Sequence, residues 1–249
     1  MKNKPFKQFL YASLLGLLAL SAPFPSKANA TTLADLLAPG AEFTVGNLIF
    51  YDFKNYSSTA TSTALPIDAS SITVTAAFLG IEEGLRFQPL GMSVDFTQII
   101  DVAFDFSVRT ANGADLIIDD YLSITGGATG HGVVNVAENI TDENNIAIPG
   151  GNLLAFENEL YGQNPDSAVF APQNILRIHK DAEVAAHAFD CTAEGTRSCT
   201  SNIDHAFLSD FFQLFSQQPP RDVPEPSSMI LLGLGMVGLR FVQRKRSSK

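Results

Sequence analysis

Hydrophobic and polar residues alternate with period two along the middle of the chain. Ile100, Val102, Phe104, Phe106 and Val108 are interleaved with Asp101, Ala103, Asp105, Ser107 and Arg109. That is the pattern of an antiparallel strand buried on one face and wetted on the other. Ala111-Asn112-Gly113 supplies a turn, and Leu116, Ile118, Leu122 and Ile124 carry the next strand to Gly126-Gly127. Val133 to Glu138, Ser167 to Phe170 and Ile175 to Lys180 read as further short strands. Upstream, Phe43 to Phe53 and Ile72 to Phe78 are β-branched or aromatic runs separated by a Ser/Thr/Ala-rich loop. Many short strands divided by Gly, Asn and Pro predict an all-β fold, a single β-sandwich or jelly-roll-like domain. Nineteen phenylalanines and no tryptophan suit a Phe-filled core between two sheets.

Two short helices are expected to decorate this body. Leu33 to Leu37 is one, capped by Thr31 or Thr32 and stopped by Pro39-Gly40. The other spans 203–215, where Ile203, Phe207, Phe211 and Leu214 recur at helical spacing behind Asn202. Phe212 and Phe215 widen that apolar face, which leaves a strand as the alternative.

The two ends of the chain follow different rules. Lys2, Lys4 and Lys7 precede an apolar run from Phe9 to Leu20, and the stretch closes on Ala28-Asn29-Ala30. A basic start, an apolar core about a dozen residues long and an Ala-x-Ala site form a secretory signal peptide. Cleavage by signal peptidase is expected after Ala30. At the other end, Met229 to Leu239 is uncharged, and Arg240, Arg244, Lys245, Arg246 and Lys249 follow. Eleven residues make about 16 Å of helix, short of the ~30 Å hydrocarbon core. A count from Val223 to Val242 reaches about 30 Å if Arg240 snorkels to the headgroups, giving a single-pass helix with its basic end held inside. Pro224 and Pro226 resist helix and leave Pro224-Glu225-Pro226 extended and accessible at the outer side.

That order of tripeptide, apolar run and basic cluster resembles the PEP-CTERM sorting signal of Gram-negative bacteria. The resemblance implies processing by a membrane transpeptidase, exosortase, and an association with exopolysaccharide or biofilm. The segment from Phe43 to Phe53 behind a short helix is similar to the start of many PEP-CTERM proteins. The stretch from Phe170-Ala171-Pro172-Gln173-Asn174 through Ile178 to Lys180-Asp181 resembles another in that group. The domain plan is therefore 1–30 signal peptide, 31–222 exported β-rich body and 223–249 sorting and anchor segment.

Removing both ends changes the charge. Nine of the sixteen basic residues lie in them, so 31–223 holds seven basic and 25 acidic residues and is near −18. Nucleic acid is disfavoured as a partner, because counterion release needs a basic surface.

Candidate chemistry is sparse. Cys191 and Cys199 are the only cysteines, and in an oxidising compartment a close pair forms a disulfide. The sharper alternative, a zinc site with His187 and His205, lacks compact-finger spacing. Asp115, Asp119 and Asp120, and separately Asp142 to Asn145, are oxygen-rich but lack the spacing of calcium loops. They read as solvated strand-end charges, with Asp119 and Asp120 on opposite faces of one strand. Gly126 to Gly132 reads as a hairpin loop rather than a phosphate site. Nucleophile-elbow, zincin and Walker motifs are absent, and Glu157 and Glu159 are a weak glycosidase signal. Asn55-Tyr56-Ser57 and Asn139-Ile140-Thr141 match the glycosylation acceptor, a mainly eukaryotic chemistry. No cofactor, metal or catalytic residue is expected. The leading expectation is a non-enzymatic envelope or matrix protein, followed by a lectin-like carbohydrate- or calcium-binding sandwich and then a secreted hydrolase.

Overall fold

A computed structural model describes residues 30–61, 63–186 and 204–219. The described chain opens with β1 (Thr31–Thr32) and α1 (Leu33–Leu36), then β2 (Glu42–Val45) and the long β3 (Leu48–Ala60). A 3-10 turn, Ala69–Ser71, leads to β4 (Ile72–Leu79), β5 (Glu82–Pro89), β6 (Ser93–Asp95) and β7 (Ile99–Thr110). Next come β8 (Leu116–Thr129), β9 (Gly132–Asp142), β10 (Ala147–Asn158), β11 (Gly162–Gln163), β12 (Asp166–Gln173) and β13 (Ile175–Ala186). The last two strands are β14 (His205–Phe215) and β15 (Gln217–Gln218).

These strands form two antiparallel sheets. The first has the order β1-β4-β5-β14-β8-β12, with β15 also on β8 and β6 also on β14. The second has the order β11-β10-β9-β13-β7-β3-β2. The expected all-β sandwich is what the chain builds. Apolar residues on the inner phase of each strand bury against the opposite sheet. Phe50, Phe53, Phe104 and Phe106 of the second sheet meet Phe87, Phe211 and Phe215 of the first. Phe87 and Phe211 stack at 4.8 Å, Phe53 and Phe106 at 5.3 Å. Offset and tilted ring pairs of this kind add about 0.5–1.5 kcal/mol each beyond area burial.

The N-terminal helix forms where expected, for a local reason. Thr32 Oγ1 accepts the Asp35 N–H at 3.2 Å, and the Asp35 carboxylate accepts the Thr32 N–H in return. Leu33 and Leu36 then plug into the core.

Residues 205–215 correct an expectation, since they are a strand and not a helix. Between Leu208 and Asp210 the register against β8 slips by one residue, a bulge at Ser209. Ala206 and Leu208 point inward before the bulge; Phe211, Gln213 and Phe215 do so after it. A two-residue period with one phase break imitates helical spacing. Gly126 to Thr129 is corrected in the same way: it continues β8, and only Gly130 and His131 turn. β5 and β10 had no counterpart in the sequence reading.

Candidate functional site

The two sheets enclose a group of four polar side chains, of which sequence reasoning missed three and placed the fourth, Asp120, on the surface. Asp120 on β8 and Gln213 on β14 come from the first sheet; Glu138 on β9 and Lys180 on β13 come from the second. All four are essentially inaccessible to solvent. Glu138 and Lys180 face each other directly across the β9–β13 register, and Lys180 Nζ donates to Glu138 Oε2. Gln213 Nε2 donates to Glu138 Oε1 at 3.1 Å and also to Asp120 Oδ1. Close approach of the strands is possible because β5 has glycine here. A Cβ on Gly84 would lie 1.8 Å from the Gln213 carbonyl oxygen.

Burial holds the Asp120 carboxyl well above the usual carboxylate range, and the Glu138 charge and a shared hydrogen bond with Glu138 push the same way, opposed by Lys180. Burial therefore favours the neutral form of the Asp120 carboxyl. Asp120 was expected to be a solvated strand-end charge, and its complete burial overturns that. Its opposition to the partly exposed Asp119 follows from strand alternation as expected.

The same strands build a very different surface on their outer side. Cross-strand register lays side chains out in rows over β3, β7, β13 and β9. One row contains Tyr51, Ser107, Arg177 and Thr141; the next contains Lys54, Asp105, His179 and Asn139. All of these except Tyr51, together with Asn145, line an open groove of about 190 Å³. His179 Nδ1 lies 2.6 Å from Asp105 Oδ1, and Asn55 Nδ2 donates to the other Asp105 oxygen at 2.5 Å. Arg177 donates to the amide oxygen of Asn145 at 2.7 Å rather than to a carboxylate. The Arg109 guanidinium lies over the Tyr51 ring at 5.4 Å and donates to Glu42.

This groove owes its shape to irregular backbone. The β3–β7 register breaks on both sides of Lys54, and Asp52 and Asn55 adopt left-handed φ of 56° and 53°. The breaks bring Lys54 opposite Asp105 at the groove's edge. Among the described residues there are five Lys or Arg, and three of them, Lys54, Arg109 and Arg177, are on this one face. On a body near −18 these basic groups gather on one face, Lys54 pairing with Asp52 at 2.7 Å and Arg109 with Glu42 at 3.2 Å.

Further along the same face the charge reverses. Asp101 is paired with Glu183, and Asp181 lies in the adjoining row. Burial and the neighbouring Asp181 and Glu183 charges raise the Asp101 carboxyl to about 6.

The remaining candidates resolve individually. Asp142 accepts the backbone N–H groups of Asn144 and Ile146, both at 2.8 Å, which lowers its carboxyl and occupies one carboxylate oxygen. Asp115 is engaged by the Asn47 and Asn112 amides and Asp119 by the Ser216 N–H. His205 pairs with Asp95 at 2.9 Å, and Glu157 accepts from Asn164. A wider depression of about 480 Å³ beside Gln88, Met92 and Phe207 has no charged lining group. Ala30 is exposed at the start of the described chain. Ala28, Cys191, Cys199, His187, Pro224, Glu225, Pro226, Arg240, Arg244, Lys245 and Arg246 lie outside the described residues.

Comparison with known proteins adds one firm finding. Residues 222–246 match the PEP-CTERM protein-sorting motif. The chain thus carries the signal of an exported, envelope-associated substrate of exosortase. No curated protein matches the chain. Among solved structures, the enzymatically active domain of tailspike protein 4 of bacteriophage CBA120 matches at 13% identity with a TM-score of 0.25. That match covers 64% of this chain and 19% of the tailspike chain, so this protein spans about a fifth of it.

Proposed function

We propose that this is a non-catalytic envelope or extracellular-matrix protein that associates with exopolysaccharide through the outer groove of its second sheet. The sorting motif supports placement in the envelope, as an exosortase substrate. The observation that carries the binding surface is the clustering of Lys54, Arg109, Arg177 and His179, with Tyr51 and the amides of Asn139 and Asn145, on one face of an acidic body. Amides and hydroxyls match sugar hydroxyls, an aromatic face covers a sugar ring, and arginine pairs with uronate or pyruvate carboxylates. An anionic polysaccharide is the ligand class that this mixture suits.

A glycan array containing neutral and uronate-rich polysaccharides, probed with and without calcium, tests the reading. Binding to acidic glycans that is independent of calcium supports the groove. Binding only with calcium moves the site to the carboxylates and favours the lectin-like alternative. Sorting is tested separately by replacing Pro224, Glu225 and Pro226 with alanine. That variant is expected to persist as a longer, membrane-retained form, and wild-type mass and release would contradict exosortase processing.

A further inference from the structure

Lysine is rarely buried, and Lys180 is completely so. Its ammonium has three donors to satisfy, yet Glu138 is its one hydrogen-bond partner among the described residues. Glu138 in turn is gripped from the other side by Gln213, and Asp120 Oδ2 and Gln213 Oε1 receive no hydrogen bond among the described residues. As an ion pair this arrangement is badly satisfied, and a buried pair with unfilled donors is costly. As a reaction site it is well assembled: an amine against a carboxyl, an acid beside it, an amide N–H on the carboxyl oxygen, and apolar walls.

We propose that Lys180 and Glu138 condense into an intramolecular amide that cross-links β13 to β9, with Asp120 relaying protons and Gln213 holding the carbonyl oxygen. Lys180 first passes a proton along its hydrogen bond to Glu138 Oε2, since two neutral groups are favoured over two charges in the dry core. The Nζ lone pair then attacks Glu138 Cδ and forms the new N–C bond. Negative charge grows on Oε1, where the Gln213 N–H already points. Asp120 gives its proton to the departing hydroxyl, the C–Oε2 bond breaks, and water leaves. The carboxylate of Asp120 recovers a proton from the nitrogen, so it ends as it began. One amine and one carboxylic acid become one amide and one water, with no redox change and no other reactant. Fixing the two groups across a strand register supplies the proximity that, in rigid intramolecular reactions, reaches effective concentrations of about 10⁵–10⁸ M. Gln213 bridges Asp120 and Glu138, and burial with a hydrogen bond shared with Glu138 favours the protonated form of Asp120, as suits a general acid.

The test is peptide mapping of the reduced, denatured full-length protein after trypsin digestion. Arg109, Arg177, Lys180 and Arg197 are consecutive tryptic sites in this region. A cross-link gives a branched species with two amino termini, Thr110 and Ile178, lighter than its two unlinked arms by one water, with no cut after Lys180. The Glu138→Ala protein supplies the control in which cleavage after Lys180 occurs, and it does so whether or not that variant folds. Release of Ile178–Lys180 as a free tripeptide from wild type would overturn the proposal. Asp120→Asn is expected to slow formation about a hundredfold, leaving mostly unlinked chain shortly after synthesis. An undiminished link in that variant would remove Asp120 from the reaction.

Discussion

Lys180 and His179 are neighbours in one strand and live in opposite physical worlds. Lys180 points between the sheets, where it is fully buried and donates to Glu138. His179 points outward beside Asp105, about half exposed, where water and salt weaken every pairing. The lesson is that charge inside this sandwich belongs to the fold, whereas charge on its outer sheet is held in exposed, solvent-screened pairs. Each expected outcome below strains that division at a different point.

The largest effect is expected inside. Lys180→Ala leaves the Glu138 carboxyl buried without its partner, linked or paired, and is expected to lose at least about 3–5 kcal/mol of stability. His179→Ala, one residue away, is expected to lose less than about 1 kcal/mol. Urea denaturation of the two variants decides the matter, and equal losses would dissolve the distinction. Gln213→Leu comes next. It strips the donor from Asp120 Oδ1 and Glu138 Oε1 together, and a loss of about 2 kcal/mol is expected from the unmet acceptors. Thermal unfolding at neutral pH reads it.

The smallest effect lies at the acidic end of the outer face. Asp101 holds its proton more tightly when folded, at about 6 against an ordinary 3.8. Its contribution is therefore fully present below about pH 4 and is lost as pH rises through about 6. Asp101→Asn is expected to gain less than about 1 kcal/mol at pH 7, after solvent screening, and to flatten the decline of stability over that window. A gain that is instead constant from pH 4 to 7 would contradict the assigned cause.

Much of the scaffold was legible because alternation is a strong signal where a strand is buried on one side. β7, β9 and β13 are such strands, and α1 announced itself through Thr32 and Asp35. β5 was silent because Glu82, Glu83, Gly84 and Arg86 leave only Leu85 and Phe87 as an apolar cue. β10 was masked by Pro149-Gly150-Gly151, and β14 by the bulge at Ser209. The buried quartet had a readable half. In Ile178, Lys180, Ala182 and Val184, and in Val134, Val136, Glu138 and Ile140, the polar residue falls on the inward phase. Of the other half, Gln213 becomes inward only after the bulge, and Asp120 only after a phase break that follows Ile117. The outer groove had no linear signal, since Lys54, Arg109 and Arg177 meet only through the sheet order β13-β7-β3.

The most direct test of the account is binding of a uronate-rich polysaccharide by wild type and by Arg177→Ala/His179→Ala, with thermal melting on the same samples. The account predicts at least a tenfold loss of affinity, equivalent to about 1.4 kcal/mol, with the melting temperature nearly unchanged. Unaltered binding in the folded double variant, or binding lost only in step with unfolding, would contradict it.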